Sequence, residues 1–209
     1  MSYDFFVLPA EQAADLDEAV ARYESAPVTV AVTPGSAAER FVAALNDGGH
    51  DFLQSPAAGN RDTAYVATSW SDPMANLRVV AGAARDEGLS VLDVQLNALY
   101  DPRDALDVGL DTQGGPQLPY LTRGILRQVM THIRELRYHW VTLTREDGVF
   151  VQTFRDDDGS WAVEHREGGP DRHFAARTED AETVERLLWS WARRDGRWQA
   201  MLVFSPVEL

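Results

Sequence analysis

The segment from Trp161 to Arg177, WAVEHREGGPDRHFAAR, restricts the fold more than any other stretch of the chain. Apolar and polar residues alternate on both sides of the turn-forming EGGPD, which predicts a β-hairpin. Its register follows from the pattern. A four-residue loop, 168–171, sets Glu167 opposite Arg172, Arg166 opposite His173, His165 opposite Phe174, Glu164 opposite Ala175 and Val163 opposite Ala176. Trp161, Val163, Phe174 and Ala176 then share one face. A five-residue loop, 167–171, sets His165 opposite His173 and turns Phe174 to the polar face. Burying one Phe is worth roughly 1.5–3 kcal/mol, so the first register is expected. Neighbouring strand residues point to opposite sides. That register therefore separates His165 from His173 and denies them a shared metal ion. Glu164, Arg166, His173 and Arg177 read as a polar ladder, either solvated or a binding face.

The rest of the second half supports an α+β module. Leu121, Ile125, Leu126, Val129, Met130, Ile133 and Leu136 form one apolar stripe, predicting a helix within 118–139. VFVQTF precedes the hairpin as a further strand, AETVERLLWSWARR follows it as a helix, and WQAMLVF reads as a final strand. In the first half the order is strand, helix, helix, strand, helix, strand. YDFFVLP, TAYVATSW and LSVLDVQ are the strands. Ser36 and Glu39 form a capping box, and Ser71 or Asp72 with Pro73 opens a helix that ends at Gly88. Between the halves, DPRDALDVGLDTQGGPQLP is rich in Asp, Gly and Pro and reads as a linker or long loop, with a boundary near Gly114. The expected fold is α+β: two small modules, 1–105 and 115–209, each a mainly antiparallel or mixed sheet packed with helices.

Charge narrows the function. The net charge is −14 and the pI about 4.6, and every basic residue is Arg. Nucleic acid repels such a chain, whereas a basic protein is steered towards it; acidity kept for solubility alone is the plain alternative. The imbalance is concentrated in residues 1–105, which hold 16 acids and 6 arginines. There is no cysteine, so disulfides and thiolate metal sites are excluded. The opening MSYDFFVLPAEQ has no signal-peptide pattern, and no apolar run approaches the ~18 residues of a membrane span. A cytoplasmic protein without membrane or nucleic-acid partners is the expectation.

Catalytic motifs are lacking: no Gly-rich phosphate loop, no HExxH, no GxSxG. Asp156, Asp157 and Asp158 before Gly159 are contiguous rather than alternating, which suits a hairpin turn better than a calcium loop. His132 and His139 lie seven apart, two turns along a helix, without a third ligand. No catalytic residue, metal or cofactor is assigned. A small hydrolase or transferase working through Glu164 and His173 is the enzymatic alternative.

Two resemblances add to this reading. MSYDFFVL with AYVATSWSDPMANLRVVAGAARDEGLSVLDVQ resembles a group of uncharacterised bacterial proteins, some suspected of belonging to toxin–antitoxin-like systems. Phe150-Val151-Gln152, Trp161 to Arg166, Arg172-His173-Phe174 and a helix ending in Trp191-Ala192 resemble immunity-protein-like domains of polymorphic-toxin systems. His165 stands where that pattern carries an aromatic. The resemblance implies neutralisation of a toxin by direct binding, and the acidic surface would suit a basic toxin. On the helix 181–194, Val184, Leu187, Leu188 and Trp191 face the core, which leaves Trp189 among Glu182, Glu185, Arg186 and Arg193. Either the acidic first half or a partner is expected to cover it. The candidate partner-binding residues are Trp189, Glu182, Glu185, Glu164, His173, Asp156, Asp157 and Asp158.

Overall fold

The computed structural model describes residues 2–27, 31–135 and 139–207, and the chain divides between Asp104 and Ala105 into two compact units. Each packs helices on an antiparallel sheet, so the fold is α+β with two sheets. No helix among the described residues is long and apolar enough to cross a membrane.

In the first unit the strands are β1 (Tyr3–Pro9), β2 (Ala58–Asn60), β3 (Thr63–Thr68), β4 (Leu89–Asp93) and β5 (Ala98–Tyr100), in the order β2-β3-β1-β4-β5. The helices are α1 (Leu16–Ser25), α2 (Ala37–Asp47) and α3 (Pro73–Asp86). The central strand β1 is an almost unbroken apolar run because both of its faces are covered. Phe6 and Leu8 pack with Leu92 and with Leu16, Ala19, Val20 and Tyr23 of α1. Phe5 and Val7 face the other side, where α2 and α3 supply Phe41, Leu45, Leu77 and Val80.

Caps explain the helix starts. Ser36 Oγ accepts from Glu39 N at 3.1 Å, and the Glu39 carboxylate reaches back to Gly35 N at 2.6 Å. Asp72, not Ser71, caps α3, accepting from Ala75 N. Asp93, at the end of β4, is wholly buried and accepts from Tyr3 Oη at 2.7 Å, Gln95 N at 3.0 Å and Leu96 N at 2.9 Å. Burial pushes its pKa up, and the three donors oppose that shift.

The second unit holds β6 (Gly109–Thr112), β7 (Gln117–Leu118), β8 (Trp140–Glu146), β9 (Val149–Arg155), β10 (Trp161–Glu167), β11 (His173–Thr178) and β12 (Ser205–Pro206), ordered β12-β11-β10-β9-β8-β6-β7. Its helices are α4 (Arg123–Arg134) and α5 (Ala181–Ala192). The hairpin β10–β11 takes the four-residue-loop register, with His165 opposite Phe174 and Val163 opposite Ala176. Glu167 and Arg172 close it as an ion pair at 2.9 Å. Val184, Leu187, Leu188 and Trp191 of α5 are fully buried, as are Ile133 and Leu126 of α4. Arg145 of β8 donates to the Trp191 carbonyl and lies 3.8 Å from the Trp191 ring centroid, fixing α5 on the face that carries Leu143, Val151 and Val163.

Four expectations need correction. The stretch 106–119 is no linker: β6 and β7 form a tight hairpin within it, with Leu110 and Leu118 buried and Gly114 (φ 71°) making the turn. Its Asp, Gly and Pro are turn chemistry inside the second unit, so that unit begins at Ala105 rather than at 115. The predicted helix 118–139 is shorter, since Thr122 caps α4 and Arg134 ends it. His139 therefore lies off the helix that carries His132, beside the start of β8, and Leu136 lies outside the described residues. The segment WQAMLVF is not a strand. Gly196 (φ 74°) turns the chain into a 3-10 turn, Arg197–Ala200, which buries Trp198, and pairing waits until β12.

Candidate functional site

The seven-stranded sheet carries α4 and α5 on one face. Register determines what the other face presents. One row across it reads Trp140, Phe154, Ala162, Arg177; the next Asp111, Thr142, Gln152, Glu164, Ala175; the third Thr144, Phe150, Arg166, His173. The middle row is hydrogen-bonded from strand to strand. Thr142 Oγ1 donates to Gln152 Oε1 at 3.4 Å, and Gln152 Nε2 donates to Glu164 Oε2 at 2.8 Å. His173 Nε2 lies 3.2 Å from the same carboxylate oxygen. Thr142 and Glu164 together fix which way the Gln152 amide points. Aromatic rings flank this ladder. Phe150 meets the His173 ring edge-on at 5.9 Å between centroids, and Trp140 is 36% exposed beside Phe154. Trp140, Thr142, Gln152 and Phe154 line a groove of about 300 Å³.

Rigid strands thus hold aromatic surface next to pre-oriented polar groups, an arrangement suited to binding. Glu164 Oε2 is shared between Gln152 and His173, and the helices lie on the opposite face, so no helix acid joins the pair. Among the described residues no group of three or more His, Asp or Glu side chains is placed to hold a metal ion.

The structure does not bring all eight sequence-derived candidates together. Glu164 and His173 belong to the open face. Asp156, Asp157 and Asp158 form the β9–β10 turn, where Asp156 pairs with Arg177 and Asp158 accepts from Ser160 N. Trp189, Glu182 and Glu185 ride on α5, across the sheet from the ladder. Trp189 is half-buried under the Arg123 guanidinium of α4, 5.4 Å from its ring centroid. Glu185 meets Arg123 at 3.1 Å, Arg134 at 3.6 Å and Arg127 at 3.7 Å. These residues stitch α4 to α5, so the cover expected for Trp189 comes from the same unit. Glu182 stays exposed in the first turn of α5. Trp140, Thr142, Phe150, Gln152 and Phe154 were not among the candidates. The alternation of WVTLTRE, with Val141 and Leu143 inward, is the signal that marks β8 and its outward Trp140 and Thr142.

On the covered face His165 is 7% exposed. Its ring stacks on Phe174 at 5.1 Å and meets the edges of Trp198 and Phe204, each at 4.7 Å. Burial among these rings pushes its pKa below the ordinary 6.5. The folded state therefore holds this proton less tightly than the unfolded chain. The stability it contributes is complete above pH 6.5 and is lost as pH falls from there towards the folded-state pKa. His165→Phe should lessen the loss of unfolding free energy between pH 7.5 and 5.5, by up to about 1.4 kcal/mol per pH unit. Urea denaturation of both proteins at the two pH values checks it; equal losses would contradict it.

Comparison with protein-family models, with curated proteins and with solved structures finds no match to this chain.

Proposed function

We propose that this chain is a non-catalytic cytoplasmic binding protein, an immunity protein that neutralises a basic toxin by covering it with the open sheet face of residues 105–209. The observation that carries the reading is the hydrogen-bonded ladder Thr142–Gln152–Glu164–His173 between the exposed Trp140 and the half-buried Phe150. Aromatic residues beside fixed polar groups are what binding hot spots are made of. The net charge of −14 supplies the sign of the partner and a long-range field to steer it. Co-expression with the product of the reading frame beside its gene tests this. The wild-type chain should restore growth that the neighbour arrests, and Trp140→Ala with Gln152→Arg should abolish protection without loss of soluble protein. Undiminished protection by that double variant would remove the open face from the proposal.

The 3.2 Å contact of His173 with Glu164 favours one second reading, an acid–base pair in a small hydrolase or transferase. On that reading His173→Gln would abolish a turnover activity. On the binding reading it costs only part of an affinity.

A further inference from the structure

Residues 196–207 fold back across the sheet: Gly196 turns the chain, Arg197–Ala200 makes the 3-10 turn, and β12 pairs with β11. Between this segment and the ends of β10 and β11 lies a cleft of about 520 Å³, within the range of small-molecule sites. Phe174, Trp198, Leu202 and Phe204 form its apolar walls, His165 contributes its ring, and the Glu167–Arg172 pair stands at the rim.

We propose that this cleft binds a compact planar aromatic acid, with its rings against Trp198, Phe204 and Phe174 and its carboxylate between the His165 imidazole and Arg172. The site is independent of the binding face described above, because His165 and the ladder residues point to opposite sides of the sheet.

The donor balance identifies the ligand. His165 Nδ1 is buried with no hydrogen-bond partner. A buried unpaired N–H is rarer and costlier than a buried unpaired acceptor, which assigns the proton to Nε2. That N–H keeps solvent access and has no protein acceptor among the described residues. Arg172 spends one contact on Glu167, at 2.9 Å, and the rest of its guanidinium is free to grip a carboxylate. Its side chain is 59% exposed, so it can turn towards a ligand without disturbing the core. Among the described residues the one acid lining the cleft is Glu167, already engaged by Arg172. Gln199 adds both a donor and an acceptor, so among the described residues the free charged group is the Arg172 cation, which selects an anion over a cation, and three aromatic walls select a flat ring system.

The test is a titration of the full chain with 2-naphthoate and, separately, with its neutral isostere 2-naphthamide. It is followed by long-range proton–nitrogen correlation of the imidazole groups, with His165 assigned through the His165→Phe spectrum. The expected result is a saturable shift of the His165 Nε2 signal with the acid, and binding of the amide weaker by about tenfold, the worth of one charge-assisted contact. Arg172→Gln, in an exposed turn, should bring the acid down to the affinity of the amide while both still shift His165. The proposal is overturned if neither compound shifts His165 saturably, if acid and amide bind equally to the wild-type chain, or if Arg172→Gln leaves the preference intact.

Discussion

Asp93→Ala is expected to lower the stability of the first unit by about 3–4 kcal/mol, because it strands three donors around one buried position. Tyr3 Oη, Gln95 N and Leu96 N all converge on that carboxylate, which ties the start of β1 to the end of β4. Asp93→Asn should cost far less. The amide oxygen still accepts from the two backbone N–H groups, and its NH₂ donates to a Tyr3 hydroxyl that reorients. The two variants also separate shape from charge. The folded carboxyl has a raised pKa, so its contribution is greatest below about pH 3.8 and is lost as pH rises through the folded-state value. The Asn variant should lack that slope. Chemical denaturation across pH 3.5–7 measures both effects. An Asp93→Ala loss below about 1 kcal/mol would mean that the network is incidental.

Trp198→Ala should be as damaging in the second unit, at about 3–5 kcal/mol, the usual cost of removing a buried Trp. Trp198 is 4% exposed and, with Phe204 beside it, holds 196–207 against His165. Without it the segment should peel away from β11. Hydrogen exchange reads this directly at Val207, whose N–H donates to His173 O at 2.9 Å. The variant should exchange there at least about tenfold faster than the wild-type chain. Unchanged protection at Val207 would mean that β12 holds the segment by itself.

Much of the second unit's hairpin was legible because keeping Phe174 on the same face as the buried Val163 and Ala176 admits one register only. The helix stripes were legible for the same reason: Leu126, Val129 and Ile133, like Val184, Leu187 and Trp191, repeat at helical spacing. The failures are equally physical. Residues 106–119 mimic a linker because two very short strands leave room for little but turn residues, and only the burial of Leu110 and Leu118 betrays them. The strand β8 was hidden because Arg134 to Trp140 extends the helical spacing of α4 past its true end. Missing β8 meant missing Trp140 and Thr142, and with them the face that the ladder completes. WQAMLVF looked like a strand because its apolar residues are those of a clamp over His165, which composition cannot distinguish from a pleat. Trp189 looked exposed because helix periodicity says nothing of a neighbouring helix, and Arg123 of α4 lies over it.

The central claim is that the open sheet face, not the α5 surface, meets the partner. Calorimetric titration of the neighbouring gene's product with the wild-type chain, Trp140→Ala and Trp189→Ala, each alongside a thermal melt, tests it most directly. The account predicts that Trp140→Ala weakens binding by about 2 kcal/mol or more at an unchanged melting temperature. Trp189→Ala should lower the melting temperature and leave the affinity intact. The opposite pattern, with full affinity for Trp140→Ala and lost affinity for Trp189→Ala, would contradict the account and move the site to the seam between α4 and α5.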